Sequence, residues 1–245
     1  MQVWPAIDLK GGKCVRLTQG DYHREKAYGT NPADMAARWV TEGATGLHVI
    51  DLDGAMGVAT NQDAVARICS EIEVDIQVGG GIRSEQAIED YLSMGIKRLI
   101  VSSKTISDPQ WIRQMATKYE NLLVVSIDLK QERLAFDGWQ KTSDIDVLQH
   151  AKAMAELPIA GLIVTDISRA GMLTGPNLEL LDSLIHCTEK PLISSGGVRH
   201  TEDVERLTHK GVHGCVVGKA LYDGQITLPQ TIAAAALTDA HSIQR

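Results

Sequence analysis

Along this chain, apolar runs of four to eight residues bounded by Gly or Asp alternate with longer segments whose apolar positions recur at helical spacing. That alternation predicts repeated strand–helix units and a mostly parallel sheet. Strands are predicted at 3–8, 46–51, 75–78, 98–102, 122–128, 160–165, 191–194 and 214–218. Helices are predicted at 31–42, 84–94, 108–119, 178–186 and 201–210. Ser84 and Thr201 each stand just before a run rich in Glu and Asp, the composition that suits the exposed amides of a helix start. Gly43, Gly95 and Gly211 follow helical runs, as left-handed caps do.

The pattern repeats within the chain. Gly80-Gly81-Ile82-Arg83 through Gly95 to Val101 falls without a gap on Gly196-Gly197-Val198-Arg199 through Gly211 to Val217. Ile7-Asp8-Leu9-Lys10 likewise matches Ile127-Asp128-Leu129-Lys130, and Gly46-Leu47 with Asp51 matches Gly161-Leu162 with Asp166. Eight units in two like halves predict an α/β fold, a single (β/α)8 TIM barrel built from two homologous half-barrels. The 245 residues, read as one domain over 1–245, are close to the ~250 usual for that barrel. An open doubly wound sheet is the alternative.

Composition narrows the function. With 44% hydrophobic and 22% charged residues the chain is neither disordered nor collagen-like, and one Phe and five Tyr leave its core to Val, Ile, Leu and Ala. A net charge of -7 argues against a nucleic-acid-binding surface, so any anion must be held locally. No apolar stretch approaches the ~20 residues of a membrane span, and the N-terminus carries no cationic leader, so no membrane association and a cytoplasmic location are expected. Cys14, Cys69, Cys187 and Cys215 are scattered without CxxC spacing, which suggests neither a zinc site nor a disulfide framework. No metal site is predicted.

In such a barrel the active site lies at the carboxyl ends of the strands. Asp8 and Asp128 both end predicted strands at equivalent places in the two halves, so they should face each other across the mouth. One carboxyl kept protonated and one ionised would suit proton transfer; capping of the following loop is the plainer use of such a residue. Two glycine-rich turns, Gly79-Gly80-Gly81-Ile82-Arg83 and Ser194-Ser195-Gly196-Gly197-Val198-Arg199, also follow strands and open into helices. Each is paired, one strand later, with a second turn, Ser102-Ser103-Lys104 or Gly218-Lys219-Ala220. Backbone amides there suit phosphate. The predicted phosphate-binding residues are Gly80, Gly81, Ser102 and Ser103 on one side, and Ser195, Gly196, Gly197, Gly218 and Lys219 on the other. Two cradles imply a small elongated substrate with a phosphate at each end.

Pro5-Ala6-Ile7-Asp8-Leu9-Lys10-Gly11-Gly12-Lys13-Cys14-Val15-Arg16-Leu17, Gln19-Gly20-Asp21-Tyr22, Gln77-Val78-Gly79-Gly80-Gly81-Ile82-Arg83, Thr165-Asp166-Ile167-Ser168 and Ser194-Ser195-Gly196-Gly197-Val198 together resemble the histidine-biosynthesis isomerases that act on phosphoribosylformimino-5-aminoimidazole carboxamide ribotide (ProFAR). The resemblance covers essentially the whole chain. It implies an Amadori rearrangement of a bis-phosphorylated aminoaldose to an aminoketose without cofactor or metal, by a protein that is commonly monomeric. It implies Asp8 as general base and Asp128 as proton donor. In some accounts the acid is instead an Asp in the loop after the sixth barrel strand; here that stretch reads Ser168-Arg169-Ala170-Gly171, so Asp128, Asp166 or a water would have to serve. It further implies that Arg16 and Arg83 bind the anionic substrate and that Trp139 packs on the aminoimidazole. His48 and Thr165, on predicted strands two and six, could hydrogen-bond ribose hydroxyls, and His48 could equally be a core histidine. The polar stretch 17–30 reads as a lid.

Two other functions stand beside the isomerase. The cyclase subunit of imidazole glycerol phosphate synthase shares the repeats and phosphate sites but usually opens with Cys-Leu-Asp, where this chain has Ala6-Ile7-Asp8. A phosphosugar-binding protein impaired in turnover is suggested by Ala170. The sequence leaves open whether phosphoribosyl anthranilate is also a substrate.

Overall fold

The computed structural model of the protein describes residues 1–237. The predicted domain's last residues, 238–245, lie outside the described residues. The chain opens with β1 (Gln2–Lys10), β2 (Lys13–Thr18), β3 (Asp21–Gly29), α1 (Pro32–Thr41) and β4 (Gly46–Asp51). There follow α2 (Leu52–Met56), α3 (Gln62–Glu71), β5 (Asp75–Gly79), α4 (Glu85–Ser93), β6 (Arg98–Val101), α5 (Ser103–Ser107) and α6 (Pro109–Lys118). The fifth barrel strand, β7 (Leu123–Lys130), runs into β8 (Arg133–Phe136) and β9 (Lys141–Ser143) before α7 (Val147–Ala155). The chain then forms β10 (Gly161–Asp166), α8 (Leu178–Ile185), β11 (Leu192–Ser195), α9 (Thr201–His209), β12 (Gly214–Val217), α10 (Lys219–Tyr222) and α11 (Leu228–Ala235).

The parallel strands run in the order β1, β4, β5, β6, β7, β10, β11, β12, and β12 pairs again with β1, closing a (β/α)8 barrel. Its strands are near-continuous apolar runs because both faces are covered. The outer faces pack with the helices in one large cluster that includes Leu47, Val49, Val78, Leu99, Val125 and Leu162. Inside, Trp4, Ala6, Ile100, Val124, Ile163, Ile193 and Val216 form a separate core beneath the mouth. This interior plug is the floor of the site.

The helix ends follow local chemistry. Asn31 caps α1 with its side-chain oxygen on the Ala33 amide, and Ser84 caps α4 through the Ala87 amide. The residue capping α9 is His200 rather than Thr201, which is the first helical residue. Asp203 explains the shift, since its carboxylate accepts from the Arg199 and His200 amides at 2.9 and 3.2 Å.

Two hairpins extend the barrel where the pattern predicted none. β2 and β3 occupy most of the stretch expected to be a lid loop, and β8 and β9 follow β7. Both rise from strand ends that carry candidate acids.

Candidate active site

A cavity opens at the carboxyl ends of the parallel strands, and every candidate site residue except the alternative acid Asp166 borders it. Asp8 and Asp128 approach it from opposite directions, because β1 and β7 lie four strands apart either way around the ring. They are also the only carboxylates among the described residues that line it. The glycine-serine turns after β5 and β6 face those after β11 and β12 across the same mouth.

Asp8 is partly buried where β1 pairs with both β2 and β4. Burial pushes its pKa above the ordinary carboxylate value, and the Arg16 guanidinium, 2.9 Å away, only partly opposes that. Arg16 comes from β2 and crosses the space above Gly218, where an added Cβ would lie 1.8 Å from Arg16 Nη2. The absence of a side chain at 218 therefore lets a cation sit between Asp8 and the β12 turn. The Arg16 guanidinium also lies 5.9 Å from the Tyr222 ring centre.

Asp128 is buried and held at both oxygens. Ser102 Oγ donates to Oδ2 at 2.9 Å, and Ser126 Oγ donates to Oδ1 at 2.8 Å. The Ser102 hydroxyl is thus engaged with the carboxylate. Ser126 was not singled out in the sequence, although it lies two residues before Asp128 on one strand and so on the same face. Thr165 is buried beside the acid, its Cα in register with that of Asp128.

The glycine turns are required by packing as well as by any anion. Gly80 has φ +102°, and a Cβ there would lie 2.0 Å from the Asp51 carbonyl oxygen; at Gly197, with φ +91°, it would lie 2.1 Å from that of Gly175. A bulky residue at either would disturb the loops before it altered ligand binding. The Arg83 guanidinium donates to the carbonyls of Gly54 and Ala55, at 2.9 and 2.6 Å, and so fastens the α2 turn at the cavity edge. Ser103 Oγ accepts from the Asp137 amide at 2.9 Å, anchoring the β8–β9 tip that carries Trp139. The Trp139 ring packs on Gly20 at the β2–β3 tip, where a Cβ would lie 2.3 Å from its Cε3. Tyr22, absent from the predicted site, lines the cavity beside these tips.

Ala170 borders the cavity and accepts from the Gln19 amide at 2.9 Å. Asp166 does not border it. Its oxygens accept from the Ser168 amide and Asn177 Nδ2, at 3.0 and 2.9 Å, and pair with Arg169. Among the described residues no cluster of three His, Cys, Asp or Glu is placed to hold a metal, and no helix is long and apolar enough to cross a membrane.

Lys219 pairs with Asp223, which also accepts from Tyr28 Oη at 2.7 Å and from Lys26 at 3.4 Å on β3. Burial alone would raise the Asp223 pKa, but Lys219, Tyr28 and Lys26 together hold it down at about 2. A depressed carboxylate stabilises the fold above its unfolded pKa and loses that contribution as pH falls through the folded one. Asp223→Asn should therefore speed amide exchange across β3 at neutral pH, with the stability difference from wild type disappearing between pH 4 and about 2. Unchanged exchange would remove Asp223 as the anchor of that hairpin.

A closed parallel barrel whose cavity gathers two opposed acids and two opposed turns at the strand ends defines a small-molecule enzyme of the (β/α)8 class. The sequence profile of the histidine biosynthesis protein family matches residues 2–227, and the chain belongs to that family. It is similar to a 1-(5-phosphoribosyl)-5-((5-phosphoribosylamino)methylideneamino)imidazole-4-carboxamide isomerase of Thermoanaerobacter pseudethanolicus, with 40% identity over 96% of this chain and 100% of that one. Isomerases of the same name from Cyanothece sp. and Acetivibrio thermocellus are 42% and 40% identical, each over 96% of this chain and over 93% and 100% of their own lengths.

Proposed function

We propose that this protein is the isomerase of histidine biosynthesis that converts ProFAR into its aminoketose isomer by an Amadori rearrangement. The observation that carries this reading is the opposition of Asp8 and Asp128 in a cavity they alone supply with carboxylates among the described residues. The names of the relatives support the same activity over the cyclase reading. A bis-phosphorylated substrate would stretch from the β5–β6 turns to the β11–β12 turns, crossing between the two acids.

In the proposed mechanism Asp128 gives its proton to the ring oxygen as the C1–O bond breaks, and the nitrogen lone pair forms a protonated Schiff base. Asp8 then takes the C2 proton, and the C2–H electrons move into an enolamine. Its tautomerisation, with a proton delivered to C1 and the hydroxyl proton lost from C2, leaves the aminoketose. No electron acceptor is consumed. The raised pKa of Asp8 makes it a stronger base than an exposed aspartate, and Arg16 would keep it ionised when the substrate enters.

Ala170 separates turnover from binding alone. If Asp128 is a sufficient acid, Ala170→Asp should leave single-turnover conversion unchanged or lower it, because a third carboxylate enters near an anionic substrate. A gain of tenfold or more would show that this chain lacks its acid. The native chain would then be chiefly a binding protein for the bis-phosphate.

A further inference from the structure

His48 borders the cavity, but its partner Gln77 does not. Gln77 lies wholly buried on β5, and its Nε2 is 3.0 Å from His48 Nδ1. The strands place His48, Gln77 and Arg98 in one register across β4, β5 and β6. The Gln77 amide is therefore flanked by an imidazole on one side and a guanidinium-bearing residue on the other.

Two buried atoms in this row have no protein partner, Gln77 Oε1 and Arg98 Nε. One is an acceptor and the other a donor. Turning the amide over would aim its NH2 group, rather than its oxygen, toward the arginine side, and two donors would then compete where one acceptor serves. The complementary orphans thus favour the oxygen on the Arg98 side and the NH2 group on His48. With Nδ1 accepting, the imidazole proton must sit on Nε2.

We propose that Gln77 is a positioning residue that fixes His48 as the Nε2–H tautomer, so that a neutral imidazole presents one donor to a sugar oxygen of the substrate. This rests on the isomerase reading above. No protein acceptor is present for Nε2 among the described residues, which leaves that donor for the cavity. Burial, with the Arg16 charge adding to it, lowers the His48 pKa to about 3, so the ring stays neutral over the working range. It can then donate without placing a second cation beside Arg16, and without drawing the Asp8 proton balance toward itself. Thr165, on the far side of the barrel, supplies a hydroxyl that can either donate or accept, whereas His48 so held can only donate from Nε2.

The test begins with two-bond nitrogen–proton correlation spectra of His48 in the unliganded protein at neutral pH. A protonated Nε2 with a bare Nδ1 is expected, and Gln77→Glu, nearly the same shape, should move a proton to Nδ1 because a carboxylate there can only accept. A protonated Nδ1 in the wild type, or a tautomer indifferent to Gln77→Glu, would overturn the proposal. Turnover gives an independent reading. Gln77→Leu should lower kcat about tenfold, the scale of one misdirected hydrogen bond. In a His48→Gln background, where the replacing amide places its own NH2 near the Nε2 position, the same change should have little further effect. Fully additive losses would mean that Gln77 acts through packing and not through His48. If the tautomer responds as stated and no ProFAR is converted, the isomerase reading fails while the positioning role stands.

Discussion

Asp8→Asn should reduce single-turnover conversion of ProFAR by about 10²–10⁴-fold, the usual contribution of a general base, while the dissociation constant stays near that of the wild type. The amide keeps the shape of the side chain, and its oxygen can still accept from Arg16, so the cavity wall changes little. What it cannot do is take the C2 proton. Ring opening precedes that step, so the variant should still scramble the anomers of the bound substrate while failing to exchange its C2 hydrogen with solvent. Retained C2 exchange would remove Asp8 as the base. Stability supplies a second reading of the same residue. Because burial raises the Asp8 pKa above 3.8, its contribution to folding is present below the unfolded pKa and lost as pH rises through the folded value. The melting temperature of Asp8→Asn relative to wild type should accordingly increase with pH across that interval; a flat difference would mean that the carboxylate is not desolvated in solution.

The separation of the two proposed roles follows from how the acids are held. Asp8 meets a cation and is desolvated by burial, whereas Asp128 meets two hydroxyls that can reverse their hydrogen bonds. Hydroxyls can donate to a carboxylate and accept from a carboxylic acid, so Asp128 can hold either state without breaking its contacts. Around both acids the structure shows matched supports. Asp51 is bound by the Gly54 and Asn61 amides and by Asn61 Nδ2, as Asp166 is bound by Ser168 and Asn177. Asp51 and Asp166 are matched strand-end positions of the two sequence repeats, and each accepts from a loop amide and from an asparagine side chain further along its loop. The strand-end aspartates of β4 and β10 are consequently loop clamps, the plain use that was also open for Asp8 and Asp128. Only the partners on each residue distinguish the two cases.

The barrel strands were legible because burial on both faces writes them as uninterrupted apolar runs. The hairpins were not, for two physical reasons. β3 is exposed along most of its length and carries no apolar alternation; it is held by its ladder with β2 rather than by burial. The β7–β8 connection turns through Gln131 and Glu132 with φ of 51° and 63°, a backbone usually announced by Asn or Gly, so the tight turn left no mark in the sequence. The same limit applies to the site. Motif and strand position pointed to the residues around the cavity, but Gln77, Asp223 and Ser126 act on those residues from below or beside them, and their roles depend on register and on which atoms lack partners.

Asp128→Asn should cost about 10²–10⁴-fold in single-turnover conversion, as expected for loss of the proton that accompanies C1–O cleavage. The replacement fits the same space between Ser102 and Ser126, but its NH2 group forces one serine to accept where it now donates. Binding should survive, since the phosphate turns are untouched. The step that fails is different from that in Asp8→Asn. Without an acid the ring stays closed, no Schiff base forms, and both anomer scrambling and C2 exchange should be lost together. Anomer scrambling retained at the wild-type rate would mean that a water or another group opens the ring and that Asp128 is only a wall of the site. Combining the two substitutions sharpens the comparison: the double variant should be no slower in scrambling than Asp128→Asn alone, because Asp8 is not used until the ring has opened. A further loss in the double variant would place Asp8 in ring opening as well, and the division of labour between β1 and β7 would have to be redrawn.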